Sequence, residues 1–217
     1  MSSDLKTRQQ IIDTVRAFSN HGLGVGTSGN LSARSARGFI VTPTGIPYDE
    51  LKPEFLVEMN ESGEVIGGDL KPSSEWRFHK DIYLNRKEAS AIVHVHSPFA
   101  TAIACIRQEI PAFHYMVAVA GGDSIRCADY ATFGTAELSE HVVSAIENRK
   151  ACLLANHGQI AFDKDVPSAL KMAQEVEELA KQYYHSLQIG EPVILDKEEM
   201  QRVLEKFKTY GKQKTGK

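Results

Sequence analysis

Apolar residues recur along the chain at two spacings, and each spacing predicts a different kind of element. Repeats of three and four residues, the period of a helix, alternate with short apolar runs of strand length. Helices are predicted over residues 5–21, 73–85, 99–106, 135–148, 165–187 and 197–207. Strands are predicted over residues 38–42, 55–59, 64–66, 91–96, 125–128, 151–155 and 159–162, with residues 110–116 extended.

Short strands that alternate with helices favour a sheet that carries helices on its faces. The chain of 217 residues shows no internal repeat, linker or low-complexity segment. It is long enough to bury a full core without disulfides. We therefore expect a single domain over residues 1–217, with the lysine-rich residues 208–217 as a mobile tail.

Composition and charge exclude several classes of function. Apolar residues make up 42% of the chain, charged residues 24%, and the net charge is -3, as in ordinary soluble proteins. No basic cluster interleaves with aromatic residues, so we expect no nucleic-acid partner. No apolar run is long enough to cross a membrane, and the polar N-terminus lacks a secretory signal. Cys105, Cys127 and Cys152 are scattered, which predicts reduced thiols in a cytoplasmic protein.

Two histidines close the apolar run at residues 91–96. His94 and His96 are two positions apart, so in a strand both side chains leave the same face. Such a pair is equally consistent with two buried histidines bonded to backbone groups and with two ligands of one metal ion.

His157 has the same setting, because it ends the apolar run at residues 151–155 and precedes a glycine. Three histidines at strand ends form an open catalytic zinc set, which leaves a coordination position for a substrate. Glu75 is the best candidate for a fourth ligand that also acts as a base. The other five histidines lack this spacing, and we interpret them as structural or surface residues: His21, His79, His114, His141 and His185.

Three turns are rich in hydrogen-bond donors. They are the glycine-rich loop at residues 24–30, the turn at residues 43–47, and Ser73–Ser74 at a predicted helix start. Backbone amides in such turns bind anions, although each turn taken alone is equally explained as a plain turn or a helix cap. The first loop is neither a Walker loop nor a dinucleotide-binding loop, which excludes a nucleotide site there.

Several motifs, in this order along the chain, resemble the zinc-dependent class II sugar-phosphate aldolases of the fuculose-phosphate type. The motifs are GTSGNLS at 26–32, TPTGIP at 42–47, PSSEWRFH at 72–79, HVH at 94–96, HYM at 114–116, YATFGT at 130–135, NHG at 156–158 and FKTYG at 207–211. The resemblance implies an α/β (α+β) fold in which helices flank both faces of a mainly antiparallel sheet. It also implies a homotetramer with the site at a subunit interface.

The resemblance further implies one zinc ion per subunit, held by His94, His96 and His157, with Glu75 as ligand and base. It implies that a neighbouring subunit's copy of Tyr115 acts on the aldehyde oxygen. Sugar-phosphate binding is implied for Gly29, Asn30, Thr44, Gly45, Ser73 and Ser74, and the aldehyde side for Phe133, Phe207 and Tyr210.

Other branches of this fold family offer alternatives. A sugar-phosphate epimerase is disfavoured because that branch resembles aspartate rather than glutamate at position 75. A methylthioribulose-phosphate dehydratase would eliminate water instead of splitting the carbon chain. A non-enzymatic adducin-like module would lack the histidines or the acid, which are all present.

Overall fold

The computed structural model describes residues 3–209, and its centre is formed by eight strands. The strands are β1 (Asn30–Ser35), β2 (Gly38–Val41), β3 (Val57–Met59), β4 (Val65–Gly67), β5 (Ala91–Val95), β6 (Cys127–Ala128), β7 (Ala151–Leu154) and β8 (Gly158–Asp163). The α-helices are α1 (Ser3–Arg16), α2 (Trp76–Asn85), α3 (Pro98–Cys105), α4 (Ala136–Ala145), α5 (Val166–Ile189) and α6 (Lys197–Phe207). Two short 3-10 helices span Pro53–Phe55 and Tyr115–Ala120.

The strands form one sheet in the order β4–β3–β2–β1–β5–β8–β7–β6. All neighbouring strands are antiparallel except β6 and β7, which are parallel. Strand β5 lies between β1 and β8, and its residue His94 pairs with Asn30 on one side and Ile160 on the other. The mainly antiparallel sheet expected from the resemblance is confirmed.

Alternate residues of the central strands face two separate apolar cores. In β7, Ala151 and Leu153 join the first core, whereas Cys152 and Leu154 join the second. Helices α1, α3, α5 and α6 contribute to the first core, and α2 and α4 contribute to the second. Because successive strand residues point to opposite faces, helices cover both sides of the sheet, as expected.

Some boundaries differ from the prediction. Strand β1 was not predicted at all, and the helix predicted over residues 5–21 ends at Arg16, followed by turns. The segment predicted as extended bends into a 3-10 helix at Tyr115. The cause is local, because the Nδ1 atom of His114 accepts the backbone N–H of Met116 at 3.2 Å and caps that turn.

The described range also bears on two expectations from the sequence. Residues 210–217 of the expected mobile tail lie outside it, whereas Lys208 and Thr209 form hydrogen-bonded turns with the end of α6. Between residues 3 and 209, no helix combines the length and the apolar character needed to cross a membrane.

Candidate active site

Three imidazole rings meet at one end of the central strands. His94 lies in β5, His96 follows that strand, and His157 lies in the turn between β7 and β8. Antiparallel pairing places the end of β5 beside the start of β8, which brings the three rings together. Their centroids are 4.9, 4.8 and 4.9 Å apart and their planes are inclined by 72°, 75° and 71°. The rings therefore surround a common point almost symmetrically.

Glu75 completes this cluster from the other side. We expected it in the first turn of its helix, but it is the N-cap residue of α2, with non-helical backbone angles. The reason is a tight turn before the helix, in which Ser73 accepts the backbone N–H of Glu75 through Oγ and that of Trp76 through its carbonyl. Glu75 Oε2 lies 3.2 Å from His94 Nε2, and Oε1 lies 3.1 Å from His157 Nε2.

The donor set fits a divalent metal ion. Glu75, His94, His96 and His157 each offer one ligand atom, and these atoms all lie within 4.8 Å of one another. The Nδ1 atom of His94 lies 2.9 Å from the carbonyl of Gln159 and donates to it, so its Nε2 lone pair faces the centre. Among the described residues, buried Glu75 Oε1 finds no hydrogen-bond partner. Converging imidazole nitrogens beside an orphan carboxylate oxygen are typical of a zinc site.

Burial and mutual contact set the charges of these groups. Burial raises the pKa of Glu75, but His94 and His157 lower it further, and the net pKa lies well below the usual range of a glutamate. Burial, followed by repulsion from His94 and His157, lowers the pKa of His96 to about 4. At neutral pH the cluster holds a carboxylate anion and a neutral His96 imidazole, which are the forms that bind metal ions.

A cavity of about 320 Å³ lies beside the cluster and is lined in part by Glu75, His96 and His157. All three donor-rich turns reach it, through Gly29, Asn30, Thr44, Gly45, Ser73 and Ser74. Phe133 also lines it. Among the described residues that form its wall there is no lysine or arginine. An anionic group in this cavity would therefore be bound by backbone amides and hydroxyl groups.

Two glycines allow the backbone to close tightly around the histidine strand. Gly29 has φ of +102°, and a Cβ atom there would lie 2.6 Å from the carbonyl oxygen of His94. A Cβ atom on Gly158 would lie 2.5 Å from the carbonyl oxygen of Val95 and 3.0 Å from the ring of His96. Larger residues at these positions would displace the histidines that the cluster depends on.

Several cavity residues had no role in the sequence-based prediction. Thr27, Ser28 and Asn156 lie inside motifs recognised above, whereas Tyr48 and Tyr130 carried no separate signal. The Tyr48 hydroxyl donates to the carbonyl of Gly29 at 2.7 Å and so fixes the glycine-rich loop against the cavity.

Tyr115 and Phe207 lie in a different part of the chain. They line a second cavity of about 550 Å³ beside α6, and their rings stack with centroids 6.4 Å apart. Tyr115 is 48% exposed. Tyr210 lies outside the described residues. Within one chain, the structure thus brings Phe133, but not Tyr115 or Phe207, to the cavity that contains Glu75.

Comparisons with known proteins agree with this geometry. The family model described as the class II aldolase and adducin N-terminal domain matches residues 9–184. A 5-methylthioribulose-1-phosphate/5-deoxyribulose-1-phosphate aldolase of Rhodospirillum rubrum is 54% identical over 209 residues, which cover 96% of this chain and 94% of that protein. An L-fuculose phosphate aldolase of Escherichia coli strain K12 is 51% identical over 207 residues, or 95% and 96% of the two chains. A solved structure of an L-fuculose 1-phosphate aldolase matches with a TM-score of 0.91 and 41% identity, covering 96% of this chain and 98% of that one.

Proposed function

The chain belongs to the class II aldolase and adducin family, and on that premise we propose that it is a metal-dependent aldolase that splits a ketose 1-phosphate into dihydroxyacetone phosphate and an aldehyde. The observation that carries this proposal is the Glu75 carboxylate, held among three imidazoles at the wall of a cavity rich in hydrogen-bond donors. Breaking a carbon–carbon bond beside a carbonyl requires a sink for electrons and a group that moves a proton. The cluster offers both.

The proposed metal ion is zinc, one per subunit, held by His94, His96 and His157, with Glu75 as a ligand in the resting enzyme. A bound zinc ion supplies a Lewis acid that draws electron density from the substrate carbonyl. The orphan oxygen of Glu75 and the orientation of His94 support this donor set.

The three turns that line the cavity would hold the phosphate end of the substrate. Gly29, Thr44 and Gly45 offer backbone amides, and Asn30, Ser73 and Ser74 add an amide and two hydroxyl groups. Fixing one end of the substrate orients the bond to be broken relative to Glu75, which lowers the entropy cost of the reaction.

The proposed cleavage breaks the C3–C4 bond. The C4 oxygen loses its proton and becomes the aldehyde oxygen, while the electron pair stays at C3 beside the C2 carbonyl. Glu75 then gives a proton to C3, and in the synthetic direction it removes that proton. Tyr115 would serve the aldehyde oxygen, donating its hydroxyl proton in synthesis and recovering it in cleavage.

Because Tyr115 lies outside the cavity of its own chain, we propose that a neighbouring subunit of a homotetramer supplies it. Phe133, which lines the cavity, would contact the aldehyde side. We assign the same side to Phe207 and Tyr210 on the basis of the family resemblance. The exposed ring of Tyr115 supports a role at a subunit contact.

A compartment that keeps thiols reduced suits this chain, and we propose the cytoplasm. Cys105, Cys127 and Cys152 are all free in the structure.

The test is a coupled assay for dihydroxyacetone phosphate with fuculose, 5-deoxyribulose and 5-methylthioribulose 1-phosphates, which compares kcat/KM. Release of dihydroxyacetone phosphate is expected from at least one of them, together with lactaldehyde, acetaldehyde or a methylthio aldehyde. Loss of water without chain cleavage would indicate a dehydratase, and conversion to an isomeric sugar phosphate would indicate an epimerase.

The metal is tested in the same assay. Chelation is expected to abolish cleavage, and added zinc is expected to restore it. A fully active metal-free protein would contradict the proposed mechanism.

A further inference from the structure

A continuous chain of buried hydrogen bonds leads away from Glu75 into the protein. Asn30 Nδ2 lies 3.0 Å from Glu75 Oε2, and Asn30 Oδ1 contacts His79 Nε2. His79 Nδ1 lies 2.7 Å from Ser32 Oγ, which lies 2.8 Å from the Tyr83 hydroxyl. None of these five side chains is more than 7% exposed. We call this set, from Tyr83 to Glu75, the buried relay.

The relay has only one consistent direction. An ionised carboxylate can only accept hydrogen bonds, so the amide NH₂ of Asn30 must face Glu75 and its oxygen must face His79. His79 therefore donates through Nε2 and accepts the Ser32 hydroxyl proton at Nδ1. Ser32 in turn accepts the proton of Tyr83. Burial and the nearby His94 lower the pKa of His79 to about 3, against an opposing effect of Glu75, so this ring is neutral and has one donor and one acceptor nitrogen.

Local periodicity places the relay beside the metal-ligand cluster. Asn30 and Ser32 are two apart on β1 and share a face, whereas His79 and Tyr83 are four apart on α2 and share a helix face. The pairing of Asn30 with His94 puts this seam next to the three imidazoles. The helix that carries His79 and Tyr83 also begins directly after Glu75.

The relay makes the two oxygens of Glu75 different. Oε2 receives the amide N–H of Asn30, whereas Oε1 is buried without a hydrogen-bond partner in the described part of the chain. We propose that His79, Ser32 and Tyr83 are positioning residues that lock the Asn30 amide against Oε2, so that Oε1 is the oxygen that exchanges the substrate proton. This inference rests on the proposed aldolase function.

The first test measures proton exchange alone. Dihydroxyacetone phosphate is incubated with zinc-loaded enzyme in D₂O, and deuterium incorporation at C3 is followed by NMR without any aldehyde. Ser32→Ala removes one relay hydroxyl, and we expect about 10-fold slower exchange with KM changed less than about twofold. Ser139→Ala is the matched control, because Ser139 is also fully buried and donates to Asp81 of α2 at 2.6 Å, away from Glu75. Equal exchange rates in both variants would overturn the inference.

A second pair of variants separates position from mere packing. His79→Gln places an amide donor near the former Nε2 atom, so it should still hold Asn30 and keep most of the exchange rate. His79→Asn lacks a donor at that distance and should lose about 10-fold. If the two variants unfold at similar temperatures but also exchange at equal rates, the relay has no positioning role.

A third readout needs neither metal nor substrate. In the metal-free protein, ¹⁵N NMR of the histidine rings should show His79 as the Nε2–H tautomer, identified by its absence from the His79→Gln spectrum. An Nδ1–H tautomer would overturn the relay direction. If the unaltered enzyme fails to exchange the C3 proton, the proposed function fails, while the tautomer still decides whether the relay exists.

Discussion

At the scale of single residues, Glu75 is the group on which the proposed reaction depends most. Glutamine has nearly the same shape but cannot take up a proton, so Glu75→Gln should keep the fold and lower kcat by about 10²-fold or more. The measurement is kcat for cleavage, with circular dichroism to verify the fold. Glu61→Gln, in the exposed turn between β3 and β4, is the control and should match the unaltered enzyme. Near-normal cleavage by Glu75→Gln would remove the base assignment.

His79 makes a separate prediction about stability. Its pKa is about 3 in the folded protein, against an ordinary value of 6.5. Between these values the unfolded chain binds a proton that the folded chain does not, so the contribution of His79 to stability is complete above pH 6.5 and declines as pH falls. Between pH 6.5 and 5 the loss should be about 2 kcal/mol.

The measurement is urea unfolding of the metal-free protein and of His79→Gln at one protein concentration, at several pH values. The glutamine variant lacks this titration, so the difference in unfolding free energy between the two proteins should shrink as pH falls. Parallel stability curves for the two proteins would show that His79 is not held neutral by burial.

At the scale of elements, strand β1 shows where sequence reasoning stops. Apolar periodicity was sufficient to predict β2, the hairpin of β3 and β4, β5 and the long helix α5. Strand β1 has the sequence NLSARS, and its buried polar residues Asn30 and Ser32 hide the apolar alternation. They are buried because partners on α2 satisfy them, and those partners are fixed only by tertiary packing. The same cause explains why His79 carried no functional signal in the sequence.

Helix α3 owes its start to a residue far away in the chain. Both carboxylate oxygens of Glu177 in α5 accept backbone N–H groups at the start of α3, from Phe99 and Ala100, each at 2.9 Å. A carboxylate there satisfies two unpaired donors and complements the helix dipole. Glu177→Gln should therefore lower the unfolding free energy by about 1 kcal/mol. Urea unfolding tests this, with the exposed neighbour Glu178→Gln as control, and equal stability of both variants would contradict it.

At the scale of the whole molecule, the candidate site is assembled from segments distant in sequence. Residue type and position at strand ends were sufficient to predict that His94, His96 and His157 belong together, because antiparallel pairing of β5 and β8 follows from short apolar runs. The separation of Tyr115 from the cavity could not be derived from periodicity, since it depends on how the 3-10 helix packs against α6. A residue supplied by another subunit leaves no trace in the apolar pattern of its own chain.

Mixed oligomers test whether the site is shared between subunits. A Tyr115→Phe subunit still carries Glu75, and a Glu75→Gln subunit still carries Tyr115. In a ring assembled at random from equal amounts of both, about a quarter of the sites should receive both intact residues. Co-expressed and purified mixtures should therefore recover about a quarter of the full cleavage rate, well above either variant alone.

A control mixture combines Glu75→Gln with His157→Asn subunits. These two side chains approach to 3.1 Å within one chain, so no arrangement of subunits restores an intact site and the mixture should remain inactive. If the mixture with Tyr115→Phe is no more active than the mean of its parents, Tyr115 does not act across a subunit contact. The proton on the aldehyde oxygen would then have to be moved by a group that lines the cavity of the same chain, of which Tyr130 carries a suitable hydroxyl.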